Sequence, residues 1–272
     1  MQDDQIREIV RDHYGQVARD DQSSACGTGC CTIPGRPELS KAIGYSDEEM
    51  ASVPEGANLG LGCGNPSAIA ALIPGEVVLD LGSGAGFDSF LASAKVGEAG
   101  RVIGVDMTAD MVTRARGLAR DRGVSNVEFR LGEIEYLPVP DNHVDAIMSN
   151  CVINLSPDKP AVFRDAYRVL KPGGRLAISD VVALQPLTAE LKEQALALAG
   201  CVAGAAEVSE IEGMLRDAGF ENVQVHVKQE SRDFIKEWFP GSGAENYVAS
   251  ATIQARKPAG DCCEPGCCGN ES

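Results

Sequence analysis

The chain has 272 residues, 44% of them hydrophobic, and a formal charge of −16 from 24 Lys and Arg against 40 Asp and Glu. That length suits one α/β core with a smaller appendage, and so acidic a surface disfavours phosphate backbones and anionic lipid as partners. No apolar run approaches a membrane span and the start, MQDDQIREIVRDH, is too polar for a signal peptide, so the sequence predicts a cytoplasmic protein with no nucleic-acid and no membrane partner.

Residues 3–18 repeat apolar side chains at helical spacing, with Ile6, Ile9, Val10, Tyr14 and Val17 on one face. The Ser-, Gly-, Cys- and Pro-rich stretch from Ser23 to Pro37 reads as a loop. Ser46-Asp47-Glu48-Glu49 has the reciprocal pattern of a capping box and opens a short helix that Pro54 ends. Asn58-Leu59-Gly60-Leu61-Gly62-Cys63-Gly64-Asn65-Pro66 is too rich in glycine for a regular element and reads as an ordered turn or a lid.

From Glu76 strands and helices alternate. Val77–Leu81 is a continuous apolar run, as in a strand buried on both faces. Helix Phe87–Val96, strand Val102–Asp106, helix Ala109–Asp121, strands Val127–Leu131 and Val144–Ser149, helix Lys159–Val169 and strand Arg175–Val181 follow. This order predicts a Rossmann-like α/β fold, a parallel sheet with helices on both faces and ligands beyond the carboxyl ends of its strands. After Pro186 a helix from Ala189 to Ala199 is broken by Gly200-Cys201-Val202-Ala203-Gly204. Helix Ser209–Ala218 and strand-like segments Val223–Lys228 and Val248–Ala255 predict a smaller C-terminal α+β lobe. From Pro258 on, apolar periodicity is lost and a disordered tail is expected. The expected units are therefore 1–75 (N-terminal helix and Cys/Gly-rich loops), 76–182 (core), 183–257 (lobe) and 258–272 (tail).

Asp80-Leu81-Gly82-Ser83-Gly84-Ala85-Gly86 joins the first strand to the first core helix. Glycines at 82, 84 and 86 permit positive φ and let backbone N–H groups approach a ligand. The spacing is GxGxG, not the GxGxxG of dinucleotide folds. Asp106 ends the next strand, where a carboxylate can hold ribose hydroxyls. A lone glycine-rich turn can be a mere tight connection, but Asp106 in its expected place argues for a cofactor.

Ten cysteines remain to be explained. In a reducing compartment they point to metal or catalytic chemistry more than to structural disulfides, although a free cysteine is also a common small core residue. Cys63, Cys151 and Cys201 fall in turns or at a strand end, and three thiolates meeting at one point would suit a soft, pyramidal, three-coordinate ion. His13, His143 and His226 lack any zinc-like spacing, so neither a histidine metal site nor a catalytic metal ion is expected.

These residues resemble the seven-strand class I S-adenosylmethionine-dependent methyltransferases. Asp80–Gly86 matches their first motif, Asp106 their ribose-binding acid, Val169-Leu170-Lys171-Pro172-Gly173-Gly174 their turn before the fifth strand, and Gly132-Glu133-Ile134-Glu135-Tyr136-Leu137-Pro138 the segment beside adenine. The resemblance implies S-adenosylmethionine as cofactor, held by Asp80, Gly82, Gly84, Gly86, Asp106, Met107, Glu133 and Ile134. In this reading Ile134 packs on the purine and Glu133 accepts its amino group.

Asn58–Pro66, Ser149-Asn150-Cys151-Val152-Ile153-Asn154-Leu155 and Gly200-Cys201-Val202-Ala203-Gly204-Ala205 are more specific and resemble arsenite methyltransferases. The resemblance implies As(III) held by Cys63, Cys151 and Cys201, or by two of them and an exchangeable thiol. The arsenic lone pair attacks the methyl carbon, and no general base is needed. The resemblance also implies a fourth, N-terminal cysteine whose disulfide chemistry returns the product to As(III). Cys31 is the first candidate, then Cys30, with Cys26 also nearby. A cellular dithiol reductant of thioredoxin or glutathione type would close the cycle. Cys262, Cys263, Cys267 and Cys268 suggest auxiliary capture of metalloid by a tethered tail, against a zinc site or an idle tail.

Two other functions fit parts of the pattern: sequestration of metalloid by thiols, and methylation of a small organic acceptor such as a quinone or sterol. Nothing in the sequence demands more than a monomer.

Overall fold

Four segments rich in apolar and β-branched residues form neighbouring strands: β1 (Val77–Leu81), β2 (Arg101–Asp106), β3 (Val127–Leu131) and β4 (Val144–Asn150). The structure, a computed structural model, describes residues 3–19, 37–197, 201–238 and 241–260. β1, β2 and β4 are buried along most of their length, whereas only Phe129 of β3 is fully buried, which fits its place at a sheet edge. The long β5 (Leu170–Ala183) pairs parallel to β4, and β6 (Glu221–Lys228) and β7 (Val248–Arg256) run antiparallel at the other edge. One seven-stranded sheet results, in the order β3-β2-β1-β4-β5-β7-β6.

The chain direction of the crossovers reverses between β1 and β4, so a crevice opens beyond their carboxyl ends. Helices α5 (Phe87–Val96), α6 (Ala109–Arg122), α7 (Lys159–Val169) and α9 (Val208–Asp217) cover the sheet. The main core is aliphatic, with Leu79, Leu81, Ile103, Ile147, Leu176 and Ile178 sealed from solvent. N-terminal α1 (Asp3–Arg19) packs on α6, tied by the Arg19–Asp110 ion pair and by Arg114 Nη1 donating to the Ala18 carbonyl at 3.0 Å. Short helices α2 (Pro37–Ala42), α3 (Asp47–Ser52) and α4 (Pro66–Ile69) frame the glycine-rich loop, and α8 (Ala189–Ala197) and α10 (Arg232–Trp238) lie in the C-terminal part.

Most expected elements stand where the pattern put them, and three points differ. The strands assigned to a C-terminal lobe instead extend the central sheet, because β7 pairs with β5 over nine residues, from Arg175↔Arg256 to Ala183↔Val248. Residues 171–174 loop out within β5, where its register to β4 shifts between Val144 and Ala146. On α1, Val10 and Val17 are buried, but Ile9 faces solvent at 38% exposure. Cys26, Cys30, Cys31, Cys262, Cys263, Cys267 and Cys268 lie outside the described residues. Among the described residues no helix is long and apolar enough to cross a membrane.

Candidate active site

The glycine turn at the end of β1 shapes the floor of an open cleft. Gly82, Gly84 and Gly86 all take positive φ (+64°, +52° and +94°). Side chains at two of them would collide with the fold: a Cβ on Gly82 would overlap Val152, and one on Gly86 would come within 2.7 Å of Phe129 Cζ. Around Gly84 there is open space. Asp106 straps this turn to α6, its Oδ2 accepting from Gly84 N at 2.9 Å and its Oδ1 from Thr108 N at 2.8 Å. Burial pushes its carboxyl up, and the two backbone donors oppose that.

Asp80, Gly82, Gly84, Asp106, Met107 and Ile134 line the cleft. Ser83 Oγ, buried on the same wall, has no hydrogen-bond partner among the described residues, so the wall offers a free polar group as well as a glycine cradle. These features fit a nucleoside-bearing ligand such as S-adenosylmethionine. Gly86 shapes the turn without lining the cleft. Glu133 departs from expectation. It does not line the cleft, and it pairs with Arg11 at 3.3 Å and with Arg7 at 3.7 Å. Of these two acids it is Glu135 that lines the cleft, buried and accepting from Ser156 Oγ at 2.6 Å and from Arg7 Nη2 at 3.3 Å.

A second set of residues joins this cleft to the cysteines. Asn150, the last residue of β4, donates through Nδ2 to Asp88 Oδ2 (3.0 Å), Tyr45 Oη (2.9 Å) and the Gly64 carbonyl (2.8 Å), while its Oδ1 accepts from Cys63 N (3.0 Å). Tyr45 Oη donates to Asp88 Oδ1 at 2.6 Å. Burial raises the Asp88 carboxyl to about 6, against these hydrogen bonds. Burial, reinforced by Asp88, also lifts Asp80 well above the usual carboxylate range. Neither Tyr45 nor Asp88 stood out in the sequence, since a tyrosine and an acid more than forty positions apart carry no local pattern.

Cys63 is clamped on both sides of its peptide: Asn150 takes its N–H, and Ser250 Oγ of β7 donates to its carbonyl at 2.8 Å. The flanking glycines are required, because a Cβ on Gly62 would meet Asn150 Nδ2 at 2.6 Å and one on Gly64 would meet Ser179 Oγ at 2.6 Å. Cys151 follows β4 in a left-handed conformation, φ +59°, held by its N–H to the Ser179 carbonyl at 2.8 Å. The turn carrying Cys201 packs against the next residues of the β4 loop, where a Cβ on Gly204 would overlap the Asn154 carbonyl.

The three sulfurs thereby converge. Cys151 Sγ and Cys201 Sγ are 3.4 Å apart, and Cys63 Sγ lies within 4.8 Å of Cys151 Sγ. All three are free thiols in an apolar surround of Val181, Leu191, Val202, Ile235 and Val248. Burial raises the Cys63 thiol to about 11, and burial also lifts Cys151 well above the usual thiol range, with its two sulfur neighbours adding to the effect. Cys151 also lines the cofactor cleft. The fold thus sets a soft three-sulfur site against the wall of a nucleoside-shaped cleft, with no histidine among the converging donors. Asp180, which sequence reasoning passed over, stands beside the sulfurs. Burial raises its carboxyl to about 6, while Asn154 and Val181 donate to it.

Comparison with known proteins agrees with this geometry. A family model for a methyltransferase domain matches residues 72–219. An arsenite methyltransferase of Halobacterium salinarum is 50% identical over 95% of this chain and 68% of its own length. One of Aquipseudomonas alcaligenes is 40% identical over 79% of this chain and 62% of its own length, so the chain spans about two thirds of these relatives. Among solved structures, an arsenic(III) S-adenosylmethionine methyltransferase from Chlamydomonas reinhardtii superposes with a TM-score of 0.59 at 34% identity, covering 85% of this chain and 76% of that one.

Proposed function

Because the chain belongs to the arsenite methyltransferases, within the class I S-adenosylmethionine-dependent methyltransferases, we propose that it transfers methyl groups from S-adenosylmethionine to trivalent arsenic held by Cys63, Cys151 and Cys201. The convergence of three thiols on the wall of the glycine-turn cleft carries this reading. Bound S-adenosylmethionine supplies an electrophilic methyl group on a sulfonium. Gly84 and the wall at Ser83 admit the nucleoside, Asp106 faces the ribose, Ile134 flanks the base and Glu135, rather than Glu133, is the acid at the adenine end.

Thiol exchange loads the substrate: each thiol proton leaves with a hydroxide of arsenous acid as water, and an As–S bond forms. Three sulfurs leave arsenic pyramidal, with one lone pair. That pair forms the As–C bond as the methyl–sulfonium bond breaks, and S-adenosylhomocysteine departs neutral. An in-line displacement of this kind needs alignment more than proton transfer. The shared wall at Cys151 and the Asn150 hub supply that alignment, and no general base is called for. Arsenic is oxidised by two electrons in the step. Two thiols, Cys31 among them, return it to As(III) by forming a disulfide, which a dithiol of thioredoxin or glutathione type reduces. The tail cysteines 262, 263, 267 and 268 gather metalloid for the site.

Cys63→Ser should impair methylation of arsenite at least tenfold more than methylation of a monomethylated, dithiol-bound As(III), which needs fewer protein sulfurs. Measured initial rates on the two substrates check this. Equal loss on both would contradict a division of labour among the three thiols.

A further inference from the structure

Asp180 adds a fourth donor to the sulfur cluster. Cys63 Sγ, Cys151 Sγ and a carboxylate oxygen of Asp180 all lie within 4.8 Å of one another, and Cys201 Sγ is 3.4 Å from Cys151 Sγ. The donors come from four segments: the 58–66 loop, the end of β4, β5 and the turn after α8. Asp180 Oδ1 accepts from Val181 N at 2.7 Å and Asn154 Nδ2 at 2.9 Å, Oδ2 has a long 3.4 Å contact from Asn154 N, and the Ile153 backbone also acts on the carboxylate. The carboxylate therefore keeps lone pairs while being fixed in place.

A tetrahedral Zn²⁺ with Zn–S of about 2.3 Å and Zn–O of about 2.0–2.2 Å sets its donors about 3.5–3.8 Å apart. Cys63, Cys151 and Asp180 already converge within 4.8 Å, and Cys201, 3.4 Å from Cys151 but outside that mutual set, must swing inward to complete the four. Lys159 acts on Asp180 and Lys228 on Cys63 as nearby cations, offsetting surplus negative charge once the thiols ligate. Each ligating thiol gives its proton to solvent.

We propose that Cys63, Cys151, Cys201 and Asp180 form a binding site for a thiophilic divalent cation, Zn²⁺ or Cd²⁺, in a closed four-coordinate geometry that blocks the trivalent metalloid. Trivalent arsenic makes three bonds and keeps a lone pair for the methyl group. A divalent cation takes the fourth donor, has no such pair, and is a dead-end occupant. The identity of the blocked substrate rests on the methyl-transfer reading above; the cation site itself does not.

Cobalt(II) is the probe. Full-length protein with its seven terminal cysteines replaced by serine is titrated with Co²⁺ under a phosphine reductant, without cofactor or arsenite. The expected result is one equivalent bound, with tetrahedral d–d bands and sulfur-to-cobalt charge transfer, and displacement by one equivalent of Zn²⁺. Asp180→Asn should weaken Co²⁺ binding at least tenfold with charge transfer retained, and Asp180→Glu should restore it to within about threefold. An octahedral or sulfur-free spectrum, or equal affinity in Asp180→Asn, would overturn the proposal. Should Asp180→Asn not fold, Cys151→Ser serves instead, and unchanged cobalt bands there would overturn it equally. Tetrahedral cobalt in the variant, with no methyl transfer to arsenite by the unsubstituted parent protein, would support the cation site and remove the substrate reading. Methyl transfer by the parent protein without cobalt binding by the variant would do the reverse.

Discussion

Cys151 is a non-glycine residue at φ +59°, a conformation that costs on the order of 1 kcal/mol and persists only where the surroundings enforce it. The strain aims one thiol at both the cofactor cleft and the other two sulfurs, so its loss is a loss of chemistry more than of fold. Cys151→Ser and Cys201→Ser should each abolish methyl transfer while calorimetry shows S-adenosylmethionine affinity within about threefold of the parent. Asp88 gives a pH prediction. Its carboxyl is raised to about 6, so the folded state holds a proton that the unfolded chain, near pH 4, has released. That contribution is present below about pH 4 and is lost as pH rises through 6. Removing the acid in Asp88→Asn carries a pH-independent cost to the Tyr45 and Asn150 hydrogen bonds, which cancels when two pH values are compared. Urea denaturation should therefore show the variant gaining on the parent by about 2–3 kcal/mol between pH 4 and pH 7. A constant difference would contradict a raised carboxyl at this position. At this scale the sequence was legible for the placement of Asp106 and Ile134 at the cleft, but it did not show that Glu135 lines the cleft and Glu133 does not. Two acids two positions apart in one loop carry the same local signal. In the fold Arg7 reaches both, at 3.3 Å for Glu135 and 3.7 Å for Glu133, and burial beside Ser156 distinguishes Glu135 while Arg11 pairs with Glu133.

At the scale of elements, the glycine turn separates fold from binding. Gly82 is pressed against Val152, while Gly84 opens on empty space, and both have positive φ. Gly82→Ala should lower thermal stability sharply, whereas Gly84→Ala should cost only about 1 kcal/mol of backbone strain yet weaken S-adenosylmethionine binding at least tenfold. Thermal denaturation with and without cofactor tells the two apart. The strands and helices of the core were readable from apolar runs and 3.6-residue spacing, and α5, α7, β1 and β3 begin and end where the pattern put them. The short α2, α4 and α10 were missed, since four to seven residues are too few to show a period. Asn65-Pro66 did hold a start signal for α4: Asn65 caps it by accepting from Ala68 N at 3.0 Å, and proline follows in its first turn.

The whole molecule explains why β6 and β7 belong to the sheet. β7 carries Ser250, which fixes the Cys63 carbonyl, so an element near the far end of the chain completes a site begun in the N-terminal quarter. Alternating segments separated by helices do not reveal which sheet edge they join. That placement, and with it the meeting of three cysteines from distant segments, was open to the sequence only through its resemblance to a family. Ser250→Ala should therefore loosen the Cys63 loop and raise the arsenite KM severalfold, leaving the S-adenosylmethionine KM unchanged. Steady-state kinetics with each substrate varied in turn checks the split.

The central claim is that one cluster of thiols presents As(III) to the methyl group of S-adenosylmethionine. Its most direct test is to incubate the purified protein with arsenite, methyl-labelled S-adenosylmethionine and a reducing thiol, beside Cys151→Ser. The predicted result is labelled methyl on arsenic in the parent protein and none in the variant. Arsenite bound without any methyl transfer, or transfer that survives the loss of Cys151, would contradict it.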